Sequence, residues 1–250
     1  MVNEQAFFNG LIIGWFSLAV VVFLALLFVA APYGRHFRRG WGLTINNRLG
    51  WVIMEAAAPL VFAVCFVLGK NEITLTTLVF LGLWEAHYIH RAFIYPFSLR
   101  SRPMPIAIVA FGLFFNTVNG YLNGRYIFTL SPGYANGWLG DPRFLVGVAL
   151  FITGFIINRQ ADRILRNLRQ GGSYRIPYGG LYRWISSPNY LGEIIIWTGW
   201  AVATWSLPGL AFAAWTAANL VPRARSHHAW YRQHFKNYPP ERKALLPGLW

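Results

Sequence analysis

The sequence predicts an all-α, polytopic membrane protein in which seven transmembrane helices cross the bilayer. Hydrophobic residues make up 56% of the 250 residues and charged residues 12%, a balance that excludes a disordered chain and an ordinary water-soluble domain. Apolar windows long enough to span about 30 Å of hydrocarbon recur along the whole chain. Acidic residues number eight in total, so those that lie inside apolar windows need a specific explanation.

The seven predicted helices follow the apolar windows in chain order. These windows cover residues 8–31, 50–69, 73–97, 105–122, 144–157, 190–205 and 207–221. The fifth and sixth windows are short, so we expect their polar ends to continue as helix beyond the membrane core. No basic segment precedes the first window, which indicates a retained helix rather than a cleaved signal peptide.

The basic residues predict how the helices are oriented. If the N-terminus lies outside and the C-terminus in the cytosol, 19 of the 22 Lys and Arg residues fall on inner loops and the tail. This is the distribution that the positive-inside rule expects. The net charge of +14 is spread over four inner segments, which argues against a nucleic-acid partner. Anionic membrane lipids account for part of it, and a phosphorylated small ligand on the cytosolic side fits the clusters.

Polar side chains recur at helical spacing on the inner ends of the last three helices. Three stripes result: Asn158, Asp162, Arg166 and Arg169; Asn189 and Glu193; and Arg223, His227 and Tyr231. Members of a stripe share one helix face because they are three or four residues apart. A single stripe is compatible with a solvated face, but three on the same side predict a shared polar pocket.

Glu55 lies inside the nearly unbroken apolar run 51–68. A charged group at bilayer depth costs at least about 2.5 kcal/mol and marks a functional site by default. Glu85 is read instead as the partner of a basic or polar group inside the bundle. His87 and His90 lie one turn apart, but six histidines in all are too few for the clusters of a membrane metalloenzyme, so no metal is expected.

Several long motifs resemble the steroid 5α-reductase family. In the segment 158–250 they are Ser173-Tyr174-Arg175-Ile176-Pro177, Asn189-Tyr190-Leu191-Gly192-Glu193-Ile194-Ile195, Ala203-Thr204-Trp205-Ser206-Leu207-Pro208 and Arg242-Lys243-Ala244-Leu245-Leu246-Pro247. The stretch 87–95 is similar to the third helix of the family, and Arg100-Ser101-Arg102-Pro103 follows at the family's spacing. The resemblance covers essentially the whole chain.

The resemblance implies a seven-helix membrane enzyme that uses NADPH to reduce the conjugated double bond of a 3-oxo-Δ4 steroid. It implies one integral membrane domain, 1–250, with substrate-side residues in 1–125 and most cofactor motifs in 143–250. The cofactor-binding positions that match are Tyr95, Arg102, Asn158, Asp162, Arg169, Arg175, Asn189, Glu193, His227 and Tyr231. The substrate-binding positions are Trp51, Met54 and Phe115. We expect a monomer in a bacterial inner membrane or the endoplasmic reticulum, with a steroid or sterol-like substrate.

The resemblance implies that Tyr88 and Glu55 lie at the substrate carbonyl, and the chemistry of enone reduction suggests what each does there. Hydride delivery to the β-carbon builds negative charge on the carbonyl oxygen, so a donor must point at that oxygen in a dry cavity. Tyr88 supplies a phenolic hydroxyl. Glu55 either orients Tyr88 or, if it is protonated, donates to the same oxygen itself. The chain has no Gly-x-Gly-x-x-Gly motif, so a Rossmann domain does not hold the cofactor.

Two departures and two rival functions qualify this interpretation. Met54 stands where the family commonly has Gln, and Leu99 where it often has Asn. A membrane methyltransferase that uses S-adenosylmethionine would also have a C-terminal cofactor pocket. A seven-helix lipid carrier or receptor would explain buried acids, but not three polar stripes on one side.

Overall fold

The structure is a computed structural model that describes residues 3–32, 36, 40–168 and 174–250. Within these ranges it contains seven α-helices. They are α1 (Glu4–Phe28), α2 (Asn47–Val67), α3 (Leu75–Ile89), α4 (Ile106–Arg125), α5 (Pro142–Leu168), α6 (Pro188–Thr204) and α7 (Leu207–His234). Each predicted window overlaps one of them, so the predominantly helical fold is confirmed. The fifth helix continues to Leu168, as its polar end predicts.

In the part of the chain that the structure describes, four helical segments are long and apolar enough to cross a membrane. They are Glu4–Phe28, Asn47–Val67, Ile106–Leu130 and Pro142–Leu168. The third of these adds a π-helical turn, Tyr126–Leu130, to the end of α4. Their composition identifies a membrane protein, while seven crossings and the orientation of the termini stay predictions.

The third predicted window, 73–97, is less regular than the sequence indicates. α3 ends at Ile89, and the chain continues as a π-helical turn, His90–Ile94, followed by a 3₁₀ turn, Tyr95–Ser98. Short π-helical segments inside helices occur often at functional sites. Because each π turn holds more residues than an α turn, the side chains that follow it are rotated about the helix axis.

Two short strands depart from the all-α prediction. β1 (Thr44–Asn46) pairs antiparallel with β2 (Pro103–Pro105), with Ile45 opposite Met104. The strands precede α2 and α4, so they fix where these two helices begin. Asn46 then caps α2 by accepting a hydrogen bond from the Arg48 amide at 2.8 Å.

The chain divides into two compact units. The first contains Met1–Ile12 and Ala31–Asp141, and the second Ile13–Ala30 and Pro142–Trp250. In the first unit α2 packs on α4, and in the second α5 packs on α6 and α6 on α7. The single integral membrane domain stays a prediction.

Close packing of α5 and α6 depends on glycines that face each other. A Cβ atom added at Gly154 would lie 2.6 Å from the carbonyl oxygen of Gly192, and one added at Gly199 would lie 2.6 Å from that of Gly147. Both distances are shorter than real Cβ contacts, so side chains larger than hydrogen cannot fit. Small residues at such interfaces let two helix backbones approach closely in a membrane. This approach brings polar side chains of α5 and α6 within hydrogen-bonding distance.

Candidate active site

Glu55 is buried on α2, where its carboxylate forms an ion pair with Arg91. The Nε atom of Arg91 lies 3.2 Å from Oε1 of Glu55, and the side chains are 26% and 7% exposed, respectively. Arg91 belongs to the π-helical turn that follows α3. As one half of an ion pair, the Glu55 carboxylate accepts hydrogen bonds, which favours the orienting role over donation of its own proton.

Two aromatic rings flank the guanidinium of Arg91. Its Cζ atom lies 5.0 Å from the ring centre of Trp51 and 6.0 Å from that of Tyr95. The two rings meet edge to face, with their centres 5.4 Å apart. A cation over an aromatic face is held by the ring quadrupole, so the rings stabilise Arg91 beside Glu55. The structure thus brings Trp51 and Tyr95, predicted as substrate and cofactor residues, together with Glu55.

Tyr88 lies on α3 and is 2% exposed. Its hydroxyl donates a long hydrogen bond, 3.5 Å, to Oδ1 of Asn116 on α4. Nδ2 of Asn116 donates in turn to the backbone oxygen of Met54 at 2.7 Å. Sequence reasoning assigned no role to Asn116 or Arg91. Two features of the sequence could have indicated them: Asn116 is an amide inside an apolar helix, and Arg91 follows Tyr88 by three residues.

The other predicted substrate residues lie in the same unit. The side chain of Met54 packs with Met104 and Val109, and Trp51 covers this cluster from the side. Phe115 is half-buried, and its backbone oxygen accepts a hydrogen bond from Asn119. Trp51 and Met54 therefore share one apolar surface.

Arg102 is exposed, and its backbone is fixed by residues at the start of α2. The side chain of Asn47 donates to the oxygen of Arg100 at 2.9 Å and accepts from the amide of Arg102 at 2.9 Å. The amide of Asn47 also donates to the oxygen of Arg102 at 2.9 Å. Asn47 therefore holds the turn that carries both arginines.

In the second unit, hydrogen bonds between amide and carboxylate groups join α5 to α6. Nδ2 of Asn158 lies 3.0 Å from the backbone oxygen of Asn189 and 3.1 Å from Oε1 of Glu193. Asn189 donates to Asp162 at 3.3 Å, and the Trp197 indole donates to Oε2 of Glu193 at 3.3 Å. The structure thus brings together four predicted residues from two stripes. Their role in cofactor binding stays a prediction.

The stripe on α7 contains a buried cation among aromatic rings. Arg223 is 8% exposed, and its guanidinium lies 5.9 Å from the ring centre of Tyr190, which packs against His227. Tyr231 is buried, stacks on Tyr238 at 5.3 Å and packs against Ile176. Arg175 is exposed. Arg169 lies outside the described residues.

A second buried arginine anchors the C-terminal segment of this unit. Arg242 is 3% exposed, donates to the oxygen of Pro177 at 2.9 Å and lies 4.8 Å from the ring centre of Tyr178. Nearby, the Ser186 hydroxyl lies 2.7 Å from the hydroxyl of Tyr238. Burial is the main cause that raises the pKa of Tyr238 above its ordinary value. The sequence motif contained Arg242, but its spacing gave no indication of this anchoring role.

The chemistry of these side chains fits a phosphorylated dinucleotide. Arginines beside aromatic rings suit phosphate groups and a flat base, and carboxylates suit hydroxyl and amide donors. Asp162, Glu193 and Arg223 provide both kinds of group in one unit. Within the described parts of the chain, no three His, Cys, Asp or Glu residues are placed to hold a metal ion.

Comparison with known proteins identifies a family over most of this architecture. Residues 102–250 match the family model described as 3-oxo-5-alpha-steroid 4-dehydrogenase. The chain is 38% identical to a steroid 5-alpha-reductase of Gossypium hirsutum over 260 residues, with 100% of both chains covered. It is 40% identical to 3-oxo-5-alpha-steroid 4-dehydrogenase 1 of Bos taurus, with 93% of each chain covered. For the Homo sapiens protein of the same name the identity is 41%, covering 87% of this chain and 85% of the relative.

Proposed function

Because the chain belongs to the 3-oxo-5-alpha-steroid 4-dehydrogenase family of oxidoreductases, we propose that it reduces the Δ4 double bond of 3-oxo-Δ4 steroids with NADPH. The product is the 5α-steroid. The observation that carries the proposal to this chain's own residues is the ion pair between the buried Glu55 and the partly buried Arg91. Glu55 shares α2 with Trp51, and Arg91 lies on the turn that follows α3, the helix of Tyr88. A membrane helix has no structural need for such a pair, because burying two charges costs more than apolar packing.

The proposed reaction needs a proton donor at the substrate carbonyl. NADPH, when bound, supplies the hydride that forms the new C–H bond at the β-carbon. As the double bond breaks, negative charge develops on the 3-oxo oxygen, and a fixed donor stabilises it most strongly in a dry site. The phenol of Tyr88, buried beside an amide oxygen, is that donor in our proposal. A proton from water then adds at the α-carbon, so that the hydride and this proton together saturate the double bond and the 3-oxo group is restored.

Glu55 and Arg91 fix the charge balance around this donor. The carboxylate of Glu55 offers acceptor oxygens to donors in the site, and Arg91 compensates its charge. Because the two charges cancel, no net negative charge lies beside the substrate oxygen to repel the negative charge that develops there. This arrangement supports Glu55 as the residue that orients donors and Tyr88 as the residue that gives the hydrogen bond.

For the cofactor, we propose two sets of contacts. In the second unit, Arg223 in its buried aromatic setting and the exposed Arg175 bind phosphate groups. Arg102 and Arg169 are the further arginines that the resemblance implies as cofactor positions. Asn158, Asp162, Asn189 and Glu193 bind the sugar and nicotinamide groups through their amides and carboxylates. Tyr95, His227 and Tyr231 complete the set that the resemblance implies.

The proposal extends to topology and partners. We propose that all seven helices cross the bilayer, with the N-terminus outside, the C-terminus in the cytosol and the chain acting as a monomer. Four apolar helices and the distribution of basic residues support this arrangement. The membrane is a bacterial inner membrane or the endoplasmic reticulum.

The decisive experiment combines binding with turnover. Purified protein in detergent is titrated with NADPH by fluorescence and assayed with progesterone or testosterone, with the product detected by mass spectrometry. We expect Glu55→Gln and Tyr88→Phe to lower turnover at least about 100-fold with nearly unchanged NADPH affinity, because they remove groups that act on the substrate oxygen. Tyr134→Phe, at a buried tyrosine that packs on Phe80, is the matched control.

Two results would overturn the proposal. Near-normal turnover of both catalytic variants would show that Glu55 and Tyr88 do not polarise the carbonyl. Binding of S-adenosylmethionine in place of NADPH would favour a membrane methyltransferase.

A further inference from the structure

The face of α4 that packs on α2 is lined by small residues at intervals of four, with one exception. Gly112, Gly120 and Gly124 follow this spacing, and a Cβ atom added at any of them would lie within 3.0 Å of an atom of α2. Asn116 occupies the remaining place in the series and is 4% exposed. An amide side chain is therefore held where the two helix backbones are closest.

The orientation of this amide is set by its bond to α2. Nδ2 of Asn116 donates to the backbone oxygen of Met54 at 2.7 Å, a short and well-formed hydrogen bond. Since the nitrogen is used there, the oxygen must point the other way, toward Tyr88. An amide oxygen can only accept, so the phenol is the donor in the 3.5 Å contact between them.

The bond to Met54 falls at a weak point of α2. Pro59 lies inside the helix and has no N–H, so the carbonyl of Glu55, four residues earlier, loses its usual intrahelical donor. The turn that carries Glu55 is therefore held less firmly by its own backbone. A hydrogen bond from α4 to the preceding carbonyl stabilises this turn from outside.

We propose that Asn116 is a positioning residue for the reaction: one buried amide fixes the turn that carries Glu55 and keeps the phenol of Tyr88 as a hydrogen-bond donor. The inference rests on the proposed function. The hydrogen bond from Tyr88 to Asn116 is long and therefore weak. It orients the phenolic hydrogen, and little free energy is lost when the phenol donates to a substrate oxygen instead. In this proposal Asn116 acts through Tyr88 and the Glu55 turn.

The test separates positioning from packing by means of a double-mutant cycle. Asn116→Leu removes both hydrogen bonds at similar volume, and Asn123→Leu, at another buried asparagine of α4, is the matched control. We expect Asn116→Leu to lower kcat about 10- to 100-fold with an unchanged NADPH dissociation constant, the size of loss seen when a hydrogen-bond partner that orients a site residue is removed. In a Tyr88→Phe background the same substitution should lower kcat by a smaller factor, because only the part that acts through the Glu55 turn remains.

An equal loss in both backgrounds would overturn the inference, because a purely structural defect does not depend on the phenol. If Asn116→Leu does not yield folded protein, Asn116→Ser replaces it, since its shorter side chain cannot reach Tyr88. Asn116→Asp keeps the acceptor but loses the donor to Met54, so it should retain the Tyr88 contact and impair Glu55.

A ligand-free measurement keeps this inference distinct from the proposed function. Tyrosine labelled at Cζ gives a carbon resonance for Tyr88, assigned by its loss in Tyr88→Phe. We expect this resonance to move in Asn116→Leu and to stay in place in Asn123→Leu. A wild-type protein without reductase activity would refute the proposed function, whereas an unmoved resonance would refute the role of Asn116.

Discussion

Replacing Arg91 by leucine should leave the carboxylate of Glu55 buried without its cation. Removal of one partner of a fully buried ion pair typically costs about 3–5 kcal/mol. The Arg91 side chain is 26% exposed, so solvent screens part of the interaction and a loss of about 2–3 kcal/mol is the appropriate expectation. For a chain of 250 residues this corresponds to a fall in Tm of about 5–10 °C.

The assay is thermal unfolding in detergent, followed by the fluorescence of the chain's 12 tryptophans. Arg183→Leu, which removes an exposed cation, serves as the control and should leave Tm within about 1 °C. Glu55→Gln combined with Arg91→Leu should recover most of the lost stability, because no uncompensated charge remains. It should not recover turnover.

Additive losses in the double variant would refute the reasoning, because they would mean that the two side chains do not compensate each other. An unchanged Tm for Arg91→Leu would refute it as well. Arg91→Lys sharpens the comparison, since it keeps the charge but loses the planar donor group that reaches Oε1.

Three further predictions concern packing, the arginine turn and pH. Gly154→Ala should lower Tm by several degrees, because its Cβ would press on the backbone of α6, whereas Gly10→Ala, with no atom within 4 Å, should not. Asn47→Ala should raise the NADPH dissociation constant about five- to tenfold, because it releases the turn that carries Arg102. Asn46→Ala loses the cap of α2 and a bond to the Ser101 hydroxyl but no bond to the backbone of that turn, so it should change the constant less than about twofold; fluorescence titration measures both. Burial, then the charges of Arg232 and Lys243, lowers the pKa of His228, so the unfolded chain binds the proton more readily and Tm should fall as pH drops below about 6.5. His228→Gln should fall less steeply over the same range; an equal slope would assign the acid loss to other groups.

The helices could be predicted from the sequence because hydrocarbon length imposes the same requirement on each of them. Every apolar window overlaps one α-helix of the structure, and the polar stripes of α5 and α6 do meet, since their residues share helix faces. The β1–β2 pair could not be predicted. Its strands are three residues long and contain two prolines, and their nearest opposed residues, Asn46 and Pro103, lie 57 positions apart in the sequence.

The contact of Arg91 with Glu55 could not be predicted, because the helix around Arg91 is irregular. In the sequence it counts as one more cation near the inner end of the third helix. The π-helical turn His90–Ile94 changes the rotation of the helix at that point, and regular 3.6-residue spacing no longer predicts which way the side chain faces. Its contact with Glu55 depends on that local change and cannot be obtained from periodicity.

Asn116 differs from Arg91 because its signal is present in the sequence. A series of glycines at intervals of four is the spacing that brings two membrane helices into close contact. A polar residue within such a series is placed against the backbone of the partner helix, where an unsatisfied amide would be costly. It must therefore bond to the partner, and the bond to Met54 satisfies that requirement. Where the partner helix also carries a buried acid, as α2 carries Glu55, the same reasoning predicts that the amide lies beside the reactive groups.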